Sequence, residues 1–353
     1  MVFSLERTLR IGSRDRSRNE FQSRSRRSLN RPICPSAASI FCLRGRSVKQ
    51  PQHNVIRPTT LIKAPRLNAR LGVNLLIATE SFQTTGSFKF RAAYNVASNV
   101  SQTQLITASS GNFGQALAYA CSLLNKTCIV VMPETSAKVK IEAVRAFGGQ
   151  VELVDVNVKS REARVAELAA QYPQAYVASA YDDPLVIEGN ASLGRELADL
   201  HESFDAIVVP IGGGGLSSGV ISGLEQSSCN VPVIGAEPLL GNDAARSLAA
   251  GEIVRNEFEP QTLADGARTV SLGEFNWAIL KRGLKEIIEV PEENIAEGVR
   301  LLFELANLKA EPTGALSIGA LLTRPDQFRG RTVCCVISGG NVDPALYIKI
   351  LRH

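Results

Sequence analysis

From about residue 56 onward the chain alternates short apolar runs with amphipathic stretches of helical period. The runs 73–78, 104–108, 127–132, 151–154, 175–178, 206–210, 233–237 and 333–337 have the length of strands and are bounded by turn residues or Pro. Between them, 88–100, 112–124, 137–147, 160–171, 184–201, 216–224, 276–283 and 294–306 read as helices, with a further helix after Pro312. Strands apolar on both faces and separated by helices predict an α/β fold of doubly wound parallel sheets. In such sheets ligands sit beyond the carboxyl ends of strands, where loops enter helices. Four loops rich in Gly or Ser occupy such positions.

A length of 353 residues leaves room for one large or two modest domains, and 44% apolar with 21% charged residues is the make-up of a soluble globular chain. No apolar run approaches the roughly 18 residues of a membrane helix, so no membrane partner is expected. The net charge of +5 sits in the first fifty residues, where twelve Lys or Arg face three acids. Residues 51–353 are mildly acidic and predict no nucleic-acid surface.

The segment 1–50 is rich in Arg and Ser without period, and is expected not to fold. It reads as an organelle transit peptide, as a nucleic-acid arm, or as sequence upstream of the true start; the last is slightly favoured for want of an amphipathic helix. Seven cysteines (34, 42, 121, 128, 229, 334 and 335) form no CxxC pair. They predict reduced thiols and a cytoplasmic protein, or an organellar one if the tail is a transit peptide. The three histidines, 53, 201 and 353, lie far from every Gly-rich loop. That removes most Ser-His-Asp, Cys-His and His-metal chemistry, so another group must move protons.

Four loops carry the candidate chemistry. In Thr85-Gly-Ser-Phe-Lys89-Phe-Arg91, a lysine opening a helix is by itself usually a solvated charge, but it forms a Schiff base where its surroundings lower its pKa. Ser109-Ser110-Gly111-Asn112-Phe113-Gly114-Gln115 reads as a helix cap, or as an anion cradle of exposed amides at a helix start. Gly212-Gly213-Gly214-Gly215, between a strand and a helix, is too costly in chain entropy to be idle, and its amides suit a phosphate. It is neither a dinucleotide nor a triphosphate motif. Ser338-Gly-Gly-Asn341 is, alone, a turn.

Taken in order, SFQTTGSFKFR, SSGNFGQALAYA, GGGGLSSG, AEP, ADGA, EPTGA and SGGNVD resemble the fold-type II pyridoxal-phosphate (PLP) enzymes, and within them the threonine dehydratase and serine racemase branch. The resemblance runs from about Arg57 to the C-terminus. It implies a tryptophan synthase β-like fold of two doubly wound parallel-sheet domains. A large PLP-binding domain would comprise 51–99 and 183–353, and a small one 100–182. It also implies a small amino-acid substrate and a homodimer.

By the same resemblance, Lys89 would be the Schiff-base lysine and the base at Cα. Gly212, Gly213, Gly214 and Gly215 would bind the cofactor phosphate, Asn112 its ring hydroxyl, and Ser338 would face its ring nitrogen. A neutral serine there leaves the ring a weaker electron sink, which favours prompt expulsion of a β-hydroxyl. Ser109, Ser110, Gly111, Asn112 and Gln115 would grip the substrate carboxylate. The implied reaction is loss of water, then ammonia, from threonine, serine or a related 3-hydroxy amino acid, leaving a 2-oxo acid.

Ser110 matches the serine that faces the lysine from the opposite side in serine racemases, so racemisation by Lys89 and Ser110 stays open. A β-replacement enzyme of the cysteine synthase type fits the same scaffold less well, and a cofactor-binding protein without activity is disfavoured by Lys89 and Ser110 together. Phe113 stands where the family commonly has histidine, which puts ordinary substrate preference in doubt. Glu237, Gly241 and Asp243 match the spacing of a divalent-cation site suited to Mg²⁺; two exposed acids after a strand is the competing reading. Asp265-Gly266 and Glu311-Pro312 match motifs that line the cofactor, although Glu311 also suits a helix start. Arg57-Pro-Thr-Thr-Leu61 replaces the family's usual entry, so an altered or poorly ordered N-terminal edge of the large domain is expected. One helix follows the Ser338 loop, so no isoleucine-sensing regulatory domain is expected.

Overall fold

The computed structural model describes residues 55–109, 111–200 and 202–352. The readings made above for the tail 1–50, and the residues His53, Ser110, His201 and His353, lie outside them. The chain opens with β1 (Thr60–Lys63), α1 (Pro65–Leu71), β2 (Asn74–Thr79) and α2 (Lys89–Asn99). A second group follows: β3 (Gln104–Ala108), α3 (Asn112–Leu123), β4 (Thr127–Pro133), α4 (Lys138–Ala146), β5 (Gln150–Val154), α5 (Arg161–Gln171) and β6 (Tyr176–Val177). Then come α6 (Pro184–Ala198), β7 (Ala206–Pro210), α7 (Gly215–Gln226), β8 (Val233–Pro238), α8 (Asp243–Ala250) and α9 (Glu274–Gly283). The chain continues through β9 (Leu284–Val290), α10 (Glu292–Ala306), α11 (Pro312–Thr323), α12 (Pro325–Phe328), β10 (Thr332–Ile337) and α13 (Pro344–Leu351).

These strands form two sheets. One has the order β5-β4-β3-β6, every pair parallel. The other has the order β1-β2-β10-β7-β8-β9. It is parallel except at its edge, where β1 runs antiparallel to β2 with Thr60 opposite Thr79. Of the entry anticipated at Arg57–Leu61, Thr60 and Leu61 belong to this regular edge strand, and 57–59 lead into it. The described residues fall in one compact unit that carries both sheets. Among the described residues no helix is long and apolar enough to cross a membrane.

The core explains the order. Val333, Cys334, Cys335, Val336 and Ile337 of β10 are wholly buried between β2 and β7. Each buried Val or Ile contributes roughly 1.5–3 kcal/mol of transfer free energy. Helices α6 and α7 meet backbone to backbone, because a Cβ on Gly223 would lie 2.2 Å from the Ala191 carbonyl.

One polar group interrupts the apolar interior where it matters for the site. Arg91 on α2 is 0% exposed and donates to Glu80, just past β2, at 2.7 and 3.0 Å. It also donates to Glu196 on α6 at 2.7 and 2.9 Å. A buried guanidinium is tolerable only when its donors are met by charged acceptors, and here they fix α2 two residues from Lys89.

Candidate active site

The lysine is held by its own turn. Phe88 N donates to the Ser338 carbonyl at 2.9 Å and Ser87 bridges Gly339, so the Lys89 loop is stitched to the 338–341 loop. Lys89 then opens α2 with its amine in the cleft. Its Nζ donates to the Ala180 carbonyl at 2.6 Å and lies 4.9 and 5.8 Å from the ring centroids of Phe88 and Phe113. Desolvation lowers its pKa to about 8, against the opposing pull of the Glu311 carboxylate.

A cleft of about 1010 Å³ gathers Lys89, Ser109, Gly111, Asn112, Phe113, Glu311 and Ser338. The Ser109 hydroxyl accepts from Gly111 N at 3.2 Å and Gly114 N at 2.9 Å, which shapes the turn into α3. Asn112 Nδ2 donates to both oxygens of Glu311, at 2.9 and 3.1 Å. Its Oδ1 accepts from Asn341 at 2.9 Å and from Gln115 at 3.4 Å, so Gln115 reaches the cleft through Asn112. Glu311 holds the N-cap position of α11 but caps nothing with its side chain. Its carboxylate turns into the cleft, where burial and the nearby Asp265 carboxylate raise its pKa to about 7. The helix-start reading thus describes its backbone, and the cleft claims its carboxylate.

Ser338 is 1% exposed, and its Oγ has no hydrogen-bond partner. A buried hydroxyl so placed carries a desolvation cost unless something else meets it. The glycine loop shows the same signature. No protein acceptor takes the amides of Gly212, Gly213, Gly214 or Gly215 among the described residues. Gly214 adopts φ +95°, a conformation that favours glycine. Tyr181, which sequence reasoning passed over, lines the cleft and covers this loop: a Cβ on Gly213 would lie 2.3 Å from its ring.

Lys140 of α4 was also not singled out. Its stem lies against Gly111 and its ammonium pairs with Asp265. Arg161 at the start of α5 pairs with Glu259, and both residues line the same cleft. No periodicity marks Tyr181 or Lys140; their roles come from contacts between segments far apart in the chain.

The acids Glu237 and Asp243 are buried, not exposed. Glu237 accepts from Ala244 N at 2.8 Å and Ala245 N at 2.9 Å, across the first turn of α8. Asp243 Oδ1 accepts from Asn256 at 2.9 Å, while its Oδ2 is buried without a partner. Burial raises both carboxyls, Asp243 to about 7. Among the described residues no three His, Cys, Asp or Glu side chains cluster as a metal-binding set.

Unspent amides in a glycine loop, an unpartnered hydroxyl and a lysine amine of lowered pKa fit a phosphorylated aldehyde cofactor. Residues 53–339 match the family described as "Pyridoxal-phosphate dependent enzyme", and the chain belongs to that family. The chain is 35% identical over 298 residues to an L-threo-3-hydroxyaspartate ammonia-lyase of a Pseudomonas species, a match covering 83% of this chain and 93% of that protein. It is 34% identical over 304 residues to the serine racemase of Dictyostelium discoideum, covering 84% and 93%. Among solved structures, the T.th. threonine deaminase aligns with TM-score 0.76 and 38% identity over 81% of this chain and 92% of that one. These likenesses agree with the two-sheet PLP fold drawn from the sequence.

Proposed function

We propose that this chain is an ammonia-lyase that removes water and then ammonia from a 3-hydroxy amino acid such as threonine, serine or 3-hydroxyaspartate. The observation that carries the reading is that the Lys89 amine, the unpartnered Ser338 hydroxyl, and Ser109, Gly111 and Asn112 face one cleft. When bound, pyridoxal phosphate supplies an electron sink that acidifies the Cα–H of an amino acid.

The chain's own groups do the rest. Lys89, with its amine titrating near 8, takes the Cα proton at Nζ. Ser338 would offer the cofactor ring nitrogen a neutral hydroxyl, and the amides of Gly212–Gly215 would hold the phosphate. Asn112, oriented by Glu311 and Asn341, would hold the ring hydroxyl. Backbone amides at the start of α3, with Ser109 and Gln115 shaping that turn, hold the substrate carboxylate. Ser110 is assigned to the same loop from sequence alone. Residues 100–182 act as the small domain against 51–99 and 183–353, and two copies form a homodimer. Glu237, Asp243 and the Gly241 carbonyl are the proposed ligands of a divalent cation, supported by the unpartnered Asp243 oxygen.

The test is incubation of the protein with pyridoxal phosphate and, in turn, L-threonine, L-serine and L-threo-3-hydroxyaspartate, following 2-oxo acid and D-amino acid. A 2-oxo acid that appears with the wild type and vanishes in Lys89→Ala is expected. D-amino acid formed faster than 2-oxo acid would replace the lyase by the racemase reading.

A further inference from the structure

Three consecutive residues between β6 and α6 touch three different parts of the site. The Ala180 carbonyl accepts from Lys89 Nζ at 2.6 Å. The Tyr181 ring lies on Gly213, and its carbonyl accepts from Asn276 Nδ2 at 3.0 Å. The Asp182 carboxylate accepts from the first amides of α9: Glu274 N at 2.9 Å, Phe275 N at 3.0 Å and Asn276 N at 3.3 Å. Asp182 therefore caps α9 across a chain separation of more than ninety residues.

Asn276 is 0% exposed, and its Nδ2 joins two of these parts. One hydrogen goes to the Tyr181 carbonyl and the other to the Gly213 carbonyl at 2.8 Å. Gly273 N also donates to that Gly213 oxygen, at 3.2 Å. In a trans peptide the carbonyl of one residue and the N–H of the next point in opposite directions. Holding the Gly213 oxygen toward α9 therefore turns the Gly214 N–H away from α9 and fixes the pitch of the glycine loop.

We propose that Asn276, set in place by the Asp182 cap on α9, is a positioning residue that aims the glycine-loop amides at the cofactor phosphate and locks that loop to the segment holding Lys89. The proposal rests on the reading that Gly212–Gly215 bind the phosphate. Asn276 does not line the cleft; it acts through Gly213 and Tyr181.

The experiment titrates the full-length apoprotein with pyridoxal phosphate and, separately, with pyridoxal, which lacks the phosphate. Binding is read by absorbance and the bound phosphate by its ³¹P chemical shift. In Asn276→Ala the dissociation constant for pyridoxal phosphate rises about tenfold, the usual scale for losing a buried hydrogen bond. The constant for pyridoxal stays put and the ³¹P signal moves. Equal weakening of both ligands, or of neither, with the ³¹P signal unmoved, overturns the proposal. Should Asn276→Ala fail to fold by circular dichroism, Asp182→Asn carries the same comparison, with about a threefold selective loss expected. If the wild type shows no preference for the phosphorylated ligand, the glycine-loop reading fails, and that outcome is separate from failure of the Asn276 assignment.

Discussion

At Lys89 two forces oppose each other. Burial strips water from the ammonium, while Glu311 attracts it, and burial wins, leaving a pKa of about 8. Only the neutral amine attacks an aldehyde, and it is the minority form below pH 8. The rate of pyridoxal phosphate uptake by the apoprotein is therefore expected to rise about tenfold between pH 7 and pH 9. Stopped-flow absorbance checks this; a rise of about a hundredfold would mean that Lys89 keeps an ordinary amine.

Glu311 obeys the opposite sign. Its folded pKa, about 7, lies above the ordinary 4.5. The folded chain thus holds a proton that the unfolded chain has lost, and stability declines as pH climbs from near 4.5 through 7. Glu311→Gln removes that burden. The apo variant is expected to exceed the wild type in stability by roughly 2–3 kcal/mol at pH 8 and by much less at pH 5. Urea unfolding at the two pH values measures the difference, and a gap that did not grow with pH would remove Glu311 as its source.

Among the elements, those buried on both faces were the easiest to read. The runs 104–108 and 206–210 coincide with β3 and β7, because a strand covered by helices carries no charged position to blur the apolar run. β9 escaped notice: Lys285, Glu286 and Glu289 interleave with its apolar residues, as suits an edge strand. α1 is only seven residues long and starts directly at Pro65, leaving little periodicity to detect. The site divides along the same line. Lys89, Asn112 and Ser338 stand out as residues at strand-to-helix turns. The bond from Asn112 to Glu311 spans 199 residues and appears only once the chain has closed.

The Arg91 network shows what holds such elements in place. Arg91→Met leaves Glu80, itself 0% exposed, as an uncompensated buried acid. A loss of about 3–5 kcal/mol in unfolding free energy is expected. Arg91→Met with Glu80→Gln should regain part of it, since the orphaned charge goes too. Denaturant titration of both variants tests the pair, and equal losses would place the cost elsewhere.

At the scale of the molecule, burial divides the thiols of the described residues by accessibility. Cys121, Cys128, Cys334 and Cys335 are buried, while Cys229, beyond α7, is partly exposed. Under native conditions iodoacetamide is expected to label Cys229 well before those four, with peptide mass mapping as the measure. Labelling of Cys334 or Cys335 at a similar rate would show that the centre of the large sheet opens easily.

That centre also dictates when the protein becomes itself during synthesis. β10 lies between β2 and β7, pairing 332–337 with 74–79, yet of the six strands in this sheet it is the last made. Until it arrives, β1 with β2 and β7 with β8 and β9 are two separate ribbons, and the Lys89 turn has no Ser338 carbonyl to anchor it. Nascent chain therefore carries the lysine without a site around it until the Ser338 loop has been made. The reactive amine gains its surroundings only when the interior seam is sewn shut.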